Sequence, residues 1–378
     1  MLMDIASEMI HALLPVYMVT VLGTSTLAVG IIEGIAEATA SITKVFSGAL
    51  SDWLGKRKLL AVLGYGLAAI TKPIFPLAAS LEWLVGARFI DRIGKGIRGA
   101  PRDALVADLA PLELRGASFG LRQSLDTIGA FAGPLIAVGL MWLTANHFQT
   151  VFWVAVVPAV LSVVVLIFGV NEPERPKALR HIRMPLHREE LARLDSAYWW
   201  VVAIAACFLL ARFSEAFLIL RAQSVGVPLT MVPIVLVFMS LAYSVSAFPV
   251  GVLADRVNRL TLLAIGLVLL FLADIVLAFT SNLLSLGIGV ALWGLHMGFT
   301  QGVLATLIAD VAPAELRGTA FGMFNLITGI ALLLASVMAG MLWDRLGPQA
   351  TFLMGAVLAL MTLLGLRAIR SRLPQLSR

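Results

Sequence analysis

The stretch Arg88-Phe-Ile-Asp-Arg-Ile-Gly-Lys-Gly-Ile-Arg-Gly-Ala-Pro-Arg102 places Arg88, Arg92, Lys95, Arg98 and Arg102 three or four residues apart. On a helix they form one basic stripe. The segment lies between apolar runs, so the stripe must face other protein or water, because ionisable groups at membrane depth are tolerated only in a bundle interior or a wet cavity. The sequence that follows, Ala104 to Pro134, recurs in the C-terminal half. Ala107, Asp108, Leu114, Arg115, Gly116, Phe119 and Gly120 match Ala309, Asp310, Leu316, Arg317, Gly318, Phe321 and Gly322, all at an offset of 202 residues. A repeat of that length in so apolar a chain indicates two homologous bundles of membrane helices, an architecture of secondary transporters.

Composition supports an all-α integral membrane protein: 60% of the residues are apolar and 13% are charged. Twelve apolar segments follow one another between residues 1 and 368, most of them near the twenty residues a bilayer requires. Backbone groups in hydrocarbon must be satisfied internally, which makes the segments helices. They divide into an N-terminal six-helix bundle over 1–170, a linker over 171–196, a C-terminal six-helix bundle over 197–368 and a tail over 369–378. Eighteen Lys and Arg residues fall on one set of loops against two, Arg221 and Arg345, on the other, so both termini are expected in the cytoplasm. The net charge of +6 is thus an orientation signal, not a nucleic-acid footprint. Cys207 stands alone in an apolar run and supports neither a disulfide nor a thiolate metal site.

The N-terminus opens into hydrophobic sequence without a basic region or small-residue cleavage site, so no signal peptide is expected. A first helix of 22 residues spans about 33 Å. Asp4 and Glu8 then fall toward its cytoplasmic end, and Pro15 is placed to bend it.

Membrane-embedded charges are the candidate site. Acidic residues Asp4, Glu8, Glu33, Glu37, Asp91, Asp103, Asp126, Glu215 and Asp274 nearly balance basic residues Lys44, Lys72, Arg88, Arg92, Lys95, Arg98, Arg122 and Arg212. Mutual pairing accounts for at least half of them. Glu33, Glu37 and Lys44 share one helix face, Arg122 and Asp126 stand at i, i+4, and Arg212 and Glu215 at i, i+3. Adding 202 to Arg88, Asp91, Arg92, Lys95 and Arg98 gives Val290, Trp293, Gly294, Met297 and Thr300. The stripe is therefore not required by packing common to the two halves. Arg88 with Asp91 is the leading pair for substrate or proton coupling, since a carboxylate that alternates between paired and unpaired surroundings can load and release a proton.

At the second turn stand Gly48, Asp52, Gly55, Lys56, Arg57 and Lys58, echoed by Gly251, Asp255, Arg256 and Arg259. This resembles the signature loop of the major facilitator superfamily, with Trp53 where the family usually has Arg. The resemblance implies twelve helices, alternating access and a cytoplasmic latch built on Asp52 and the basic run. Gly120, Gly129, Gly133 and Pro134 in the fifth segment are similar to the motif of drug and proton antiporters, with Ala137-Val138 in place of its final glycine pair; the second half has Ala331, Ala335 and Ser336 there. Physically, Gly129 and Gly133 form a small face for close helix packing. In family terms, a motif confined to the first half implies efflux by antiport. Arg88 occupies the position of a family arginine associated with proton transfer, although Asp91 and Arg92 replace the Gln and Gly of that motif.

Other matches carry little. Gly94-Lys-Gly96-Ile-Arg-Gly99 fits a dinucleotide fingerprint but follows no strand, and its glycines are better explained by close helix approach. Ser41-Ile-Thr-Lys44 lacks the companion motifs of penicillin-binding enzymes. His11, His147, His181, His187 and His296 show no metal-ligand spacing. The expected function is transport of a small organic solute, coupled to protons and outward. An uptake symporter or a facilitator for an organic anion is the second reading, and a receptor or lipid-modifying role the third. No enzyme activity, cofactor or metal is expected, and the chain is expected to work as a monomer in the bacterial inner membrane.

Overall fold

The computed structural model describes residues 1–54, 56–78, 80–109, 115–172, 191–254, 257–312 and 317–369. Among them are fifteen α-helices and no strand: α1 (Leu2–His11), α2 (Leu14–Thr20), α3 (Thr26–Leu54), α4 (Arg57–Thr71), α5 (Ile74–Leu77), α6 (Leu81–Leu109), α7 (Arg115–Leu143), α8 (Phe148–Gly169), α9 (Ser196–Ala211), α10 (Ala216–Ser224), α11 (Ile234–Ala254), α12 (Arg259–Phe279), α13 (Leu283–Val311), α14 (Arg317–Leu346) and α15 (Pro348–Ile369). Three spans are interrupted. Pro15 opens α2 after a break at Ala12–Leu13, Pro73 follows the end of α4, and the four residues Arg212 to Glu215 separate α9 from α10.

Among the described residues, eleven stretches are long and apolar enough to cross a membrane. The predicted segment absent from that set is α6, whose 29 residues, about 43 Å of helix, are long enough but carry the basic stripe. Its charge is tolerable because neighbouring helices enclose it: Arg88, Asp91, Arg92 and Arg98 are all buried. Large apolar side chains such as Ile70, Trp142, Phe168 and Leu284 point outward instead, as a lipid-facing surface requires.

Polar caps mark several helix starts. Asp195 accepts from Ser196 N, Asn258 from Leu260 N at 2.8 Å, and Asn282 from Ser285 N at 2.9 Å. Gly347 closes α14 in the left-handed region, φ 87°; the equivalent position in the first half, Ala145, adopts it at φ 51° without being glycine. Arg221, counted above as a loop charge, is instead buried, and its guanidinium donates to the carbonyls of Leu277, Ala278 and Thr280 at the end of α12.

The internal repeat is present in three dimensions. A Cβ on Gly64 would meet Arg98 N at 2.6 Å, and one on Gly266 would meet the side chain of Thr300, so the same α4–α6 approach recurs between α12 and α13. Gly96 against Thr43 and Gly298 against Ser246 form the second such pair. Gly94 faces α4 while Gly96 faces α3, which lets α6 wedge between them and accounts for the Gly-x-Gly spacing by packing.

Contacts between the two halves run along α3 with α14, α7 with α11, and α2 with α10. The α3–α14 seam is tight at the end carrying Thr26: Gly30 lies against the Ser336 carbonyl, Gly34 against Leu333, and Gly340 against Thr26 and Leu27. There Asp344 caps α3, accepting from Thr26 N at 2.9 Å, from Leu27 N at 2.8 Å and from the Thr26 hydroxyl. Aromatic packing closes the same end, with Phe217 5.8 Å from Trp343 between ring centroids.

Candidate functional site

Each buried charge of α6 is met by a residue of another helix. Arg88 Nη2 stands 2.7 Å from Glu33 Oε2, and Arg92 Nη1 3.0 Å from Glu37 Oε1, both on α3. Asp91 accepts from Lys72 Nζ at 2.8 Å, and that ammonium also donates to Ser7 Oγ at the α4 terminus. Arg98 lies 3.6 Å from Asp4 and over the ring of Tyr65. The expected Arg88–Asp91 pair is therefore not formed. Glu33 lies across the interface, and its alternative would be a buried unpaired carboxylate, so the tertiary pairing wins.

His11, at the end of α1, links the network to the interior, with Nδ1 3.3 Å from Glu8 and Nε2 3.6 Å from Glu33. The pairs predicted along single helices elsewhere are present. Arg122 contacts Asp126 at 3.1 Å and also Asp103 at 2.6 Å, while Arg212 contacts Glu215 at 3.1 Å across the break between α9 and α10.

These groups surround a polar cavity between the halves. A central chamber of about 160 Å³ is walled by α1, α3, α6 and the Arg212–Glu215 break. A second chamber of about 350 Å³ continues from it toward Arg102, Asp103, Arg122 and Asp126. Glu8, Glu37 and Lys95 line both, so the two make one path leading away from the sealed Thr26–Asp344 end. In the central chamber Glu8 faces His11, Glu37 faces Arg92 and Glu215 faces Arg212. Lys95 is left over. It is exposed to the chamber, as is Lys44 in the second one, and among the described residues neither has a carboxylate within 4.0 Å. A separate crevice of about 590 Å³ between α3 and α6 is lined by Ile31, Ile35 and Phe89. These side chains are exposed on the lipid-facing surface, and Arg88 at its floor is committed to Glu33.

The loop motif is described in part. Gly48 packs on Ala100 of α6, Lys56 precedes α4, and Arg57 Nη1 donates to Ala104 O at 2.6 Å, tying the turn to α6. Asp52 lies in the last turn of α3. Gly55, Asp255 and Arg256 are outside the described residues, and a Cβ on Gly251 would meet nothing within 4 Å among the described residues. In α7, which contains Gly120 and Pro134, a Cβ on Gly129 would meet Asp4 and Met1, and one on Gly133 would meet Glu8 and Ile5. Those two glycines bring α1 against α7 and so set Asp4 and Glu8 at the cavity wall.

Two features escaped sequence reasoning. The Arg212–Glu215 break contains neither Pro nor Gly, but the offset of 202 carries Ala12, at the first break, onto Ser214. Discontinuous helices at matching positions of two repeats are how many transporters expose backbone groups at a midplane site. The second feature is which cations stay unpaired, and sequence spacing does not encode that.

The family model described as Major Facilitator Superfamily matches residues 1–220 and 201–377. An uncharacterised MFS-type transporter of Methanocaldococcus jannaschii is 31% identical over 367 residues, covering 95% of this chain and 90% of that one. The probable galactarate/D-glucarate transporter of Escherichia coli K12 is 33% identical over 172 residues, 42% of this chain and 37% of its own. Among solved structures, a peptide transporter superposes with a TM-score of 0.82 at 17% identity, over 100% of this chain and 93% of that one.

Proposed function

The chain belongs to the major facilitator superfamily of multi-pass membrane transporters, and on that premise we propose that it carries a small anionic or zwitterionic organic solute across the membrane by alternating access. In this reading α6 is the fourth of twelve spans. Both termini are cytoplasmic, and the bundles 1–170 and 197–368, joined by 171–196 and followed by the tail 369–378, rock about the central chamber as a monomer in the plasma membrane, the inner membrane in a bacterium. The path that leads to Arg102 and Asp126 then opens to the cytoplasm. Energy comes from an ion gradient, with protons as the partner ion, and the protein is no enzyme and needs no cofactor.

The observation that carries the substrate class is Lys95. Every other cation of the central chamber stands within 4 Å of a carboxylate, so the positive charge of the Lys95 ammonium is the one free to meet a solute there. Such a field attracts anions and repels simple lipophilic cations. The names of the Escherichia coli relative, a probable galactarate/D-glucarate transporter, and of the peptide transporter accord with a negatively charged or zwitterionic cargo.

For direction, the similarity of Gly120, Gly129, Gly133 and Pro134 to the antiporter motif favours export in exchange for protons. Uptake with protons, or facilitated flow of an organic anion, is favoured by the unpaired lysines and by the packing that already accounts for Gly129 and Gly133.

Counterflow in proteoliposomes, with and without a pH gradient and with a panel of organic anions, zwitterions and cations as competitors, tests the proposal. Anions and zwitterions should compete. Lys95→Gln should weaken that competition roughly 10-fold or more, the scale of one lost charge-assisted hydrogen bond, and Lys95→Arg should restore most of it. Competition by cations alone, unchanged in Lys95→Gln, would refute the substrate class.

A further inference from the structure

The second half buries a group that the cavity network does not use. Asp274 of α12 is fully buried, and among the described residues neither of its carboxyl oxygens has a hydrogen-bond partner. Beside it, α13 holds two more unpartnered polar side chains: the indole Nε1 of Trp293, and His296, both of whose ring nitrogens are unmatched although the residue is fully buried. Buried polar groups are ordinarily satisfied, so three orphans on two packed helices require an explanation.

The repeat supplies one. Subtracting 202 from Asp274 and Trp293 gives Lys72 and Asp91, the buried ion pair of the first half. The second half thus places an acid where the first has a base, and an indole where the first has the matching charge. An ionised carboxylate without a partner is not sustained inside a membrane bundle, so Asp274 is held here as the neutral acid.

Its surroundings also show how the proton could leave. A Cβ on Gly355 of α15 would lie 2.5 Å from Asp274 Oδ2 and 3.1 Å from the Phe213 ring, so the glycine opens the space that the acid and the ring share. Phe213 in turn lines the central chamber and stacks on Trp293 at 5.3 Å. It belongs to the non-helical break at Arg212–Glu215, backbone that can rearrange without unwinding a continuous helix. The titratable and charged groups on the elements packed around it are His296 on α13, Arg212 and Glu215 at the break beside Phe213, and Arg221 of α10, whose guanidinium holds the Leu277, Ala278 and Thr280 carbonyls at the end of α12. On α11 the one titratable neighbour of that break is Tyr243, and α15 carries no charged residue before Arg367.

We propose that Asp274 is the proton-carrying group of the second half, holding one proton behind Phe213 in this conformation and releasing it to the chamber when the Arg212–Glu215 break rearranges. The step breaks the carboxyl O–H and passes its proton to chamber water or to the His296 imidazole. It leaves a carboxylate that Arg212 can neutralise by exchanging Glu215 for Asp274. The inference rests on the transporter reading above and adds the group that couples it to protons.

The test uses the full chain in lipid. Infrared difference spectra in H₂O and D₂O should show a protonated carboxylic acid band at neutral pH that Asp274→Asn removes. In Phe213→Ala the same band should exchange with D₂O at least 10-fold faster, a result independent of whether the Asn variant folds. In proteoliposomes Asp274→Asn should lose accumulation driven by a pH gradient at least 10-fold more than it loses counterflow. Equal gradient-driven accumulation in both proteins, a band that survives Asp274→Asn, or exchange indifferent to Phe213→Ala would overturn the assignment. A wild type that exchanges solute yet ignores the pH gradient while still showing the band would instead refute proton coupling as the mode of transport, and the assignment with it.

Discussion

Arg88 is buried inside the helical bundle with 2% of its surface exposed, and it is stable there because Glu33 is 2.7 Å away. Removing one partner leaves the other charge buried alone. Arg88→Gln or Glu33→Gln should therefore cost roughly 3–5 kcal/mol of stability, while the double variant, a pair of neutral amides, should recover most of it. Thermal unfolding of the purified variants measures this, and a double variant as unstable as the sum of the singles would show that the pair is not the coupled unit. At this scale the sequence was legible in kind but not in detail. The spacing of the stripe required protein partners, which α6 has; which acid each base would meet was not readable. Arg88 and Asp91 are three residues apart on one helix, yet each is paired with a residue on a different helix, because tertiary partners satisfied both charges and the intrahelical pair would have left Glu33 and Lys72 unmatched.

Among elements, close approach depends on residues without side chains, and position decides whether that matters. A Cβ on Gly30 would fall within contact of the Ser336 carbonyl, in the sealed part of the α3–α14 seam, whereas Gly66 on α4 has open space around it. Gly30→Ala should destabilise the observed conformation by roughly 1–3 kcal/mol through overpacking. Gly66→Ala should stabilise by roughly 0.5–1 kcal/mol through helix propensity. Opposite shifts in melting temperature are the expected result, and a fall in both would mean that propensity outweighs packing nowhere in these helices. Element boundaries followed the apolar runs closely because each run must satisfy its own backbone in lipid. Pro15 marked one of the three interruptions in the sequence, and Pro73, not read as a break there, stands at the second. The third, at Arg212–Glu215, had no local signal and could be found only by transferring the first through the repeat.

Over the whole molecule, the described residues close the Thr26–Asp344 end and leave a polar path leading away from it, and each end of α3 has a carboxylate in its sequence neighbourhood or against it. At the closed end Asp344 of α14 holds the N-terminus of α3, so it bonds across the two halves only while that end is shut. At the other end Asp52, in the last turn of α3 beside the basic run Lys56 to Lys58, is the proposed latch of the opposite state. A contact made in one state alone shifts the population by its own free energy. Asp344→Ala removes partly exposed hydrogen bonds worth roughly 1 kcal/mol net, which would move the ratio about fivefold toward the conformation open at the Thr26 end. Asp52→Asn should move it by a similar factor in the opposite direction. The two residues act at opposite ends of α3, so their effects should add, and the double variant should return near the wild-type ratio. Labelling rates of single cysteines introduced at either end, on a background without Cys207, report that ratio. A double variant that stays at the Asp344→Ala value would show that Asp52 latches nothing and that the inner seal resides in other contacts of the α7–α11 seam.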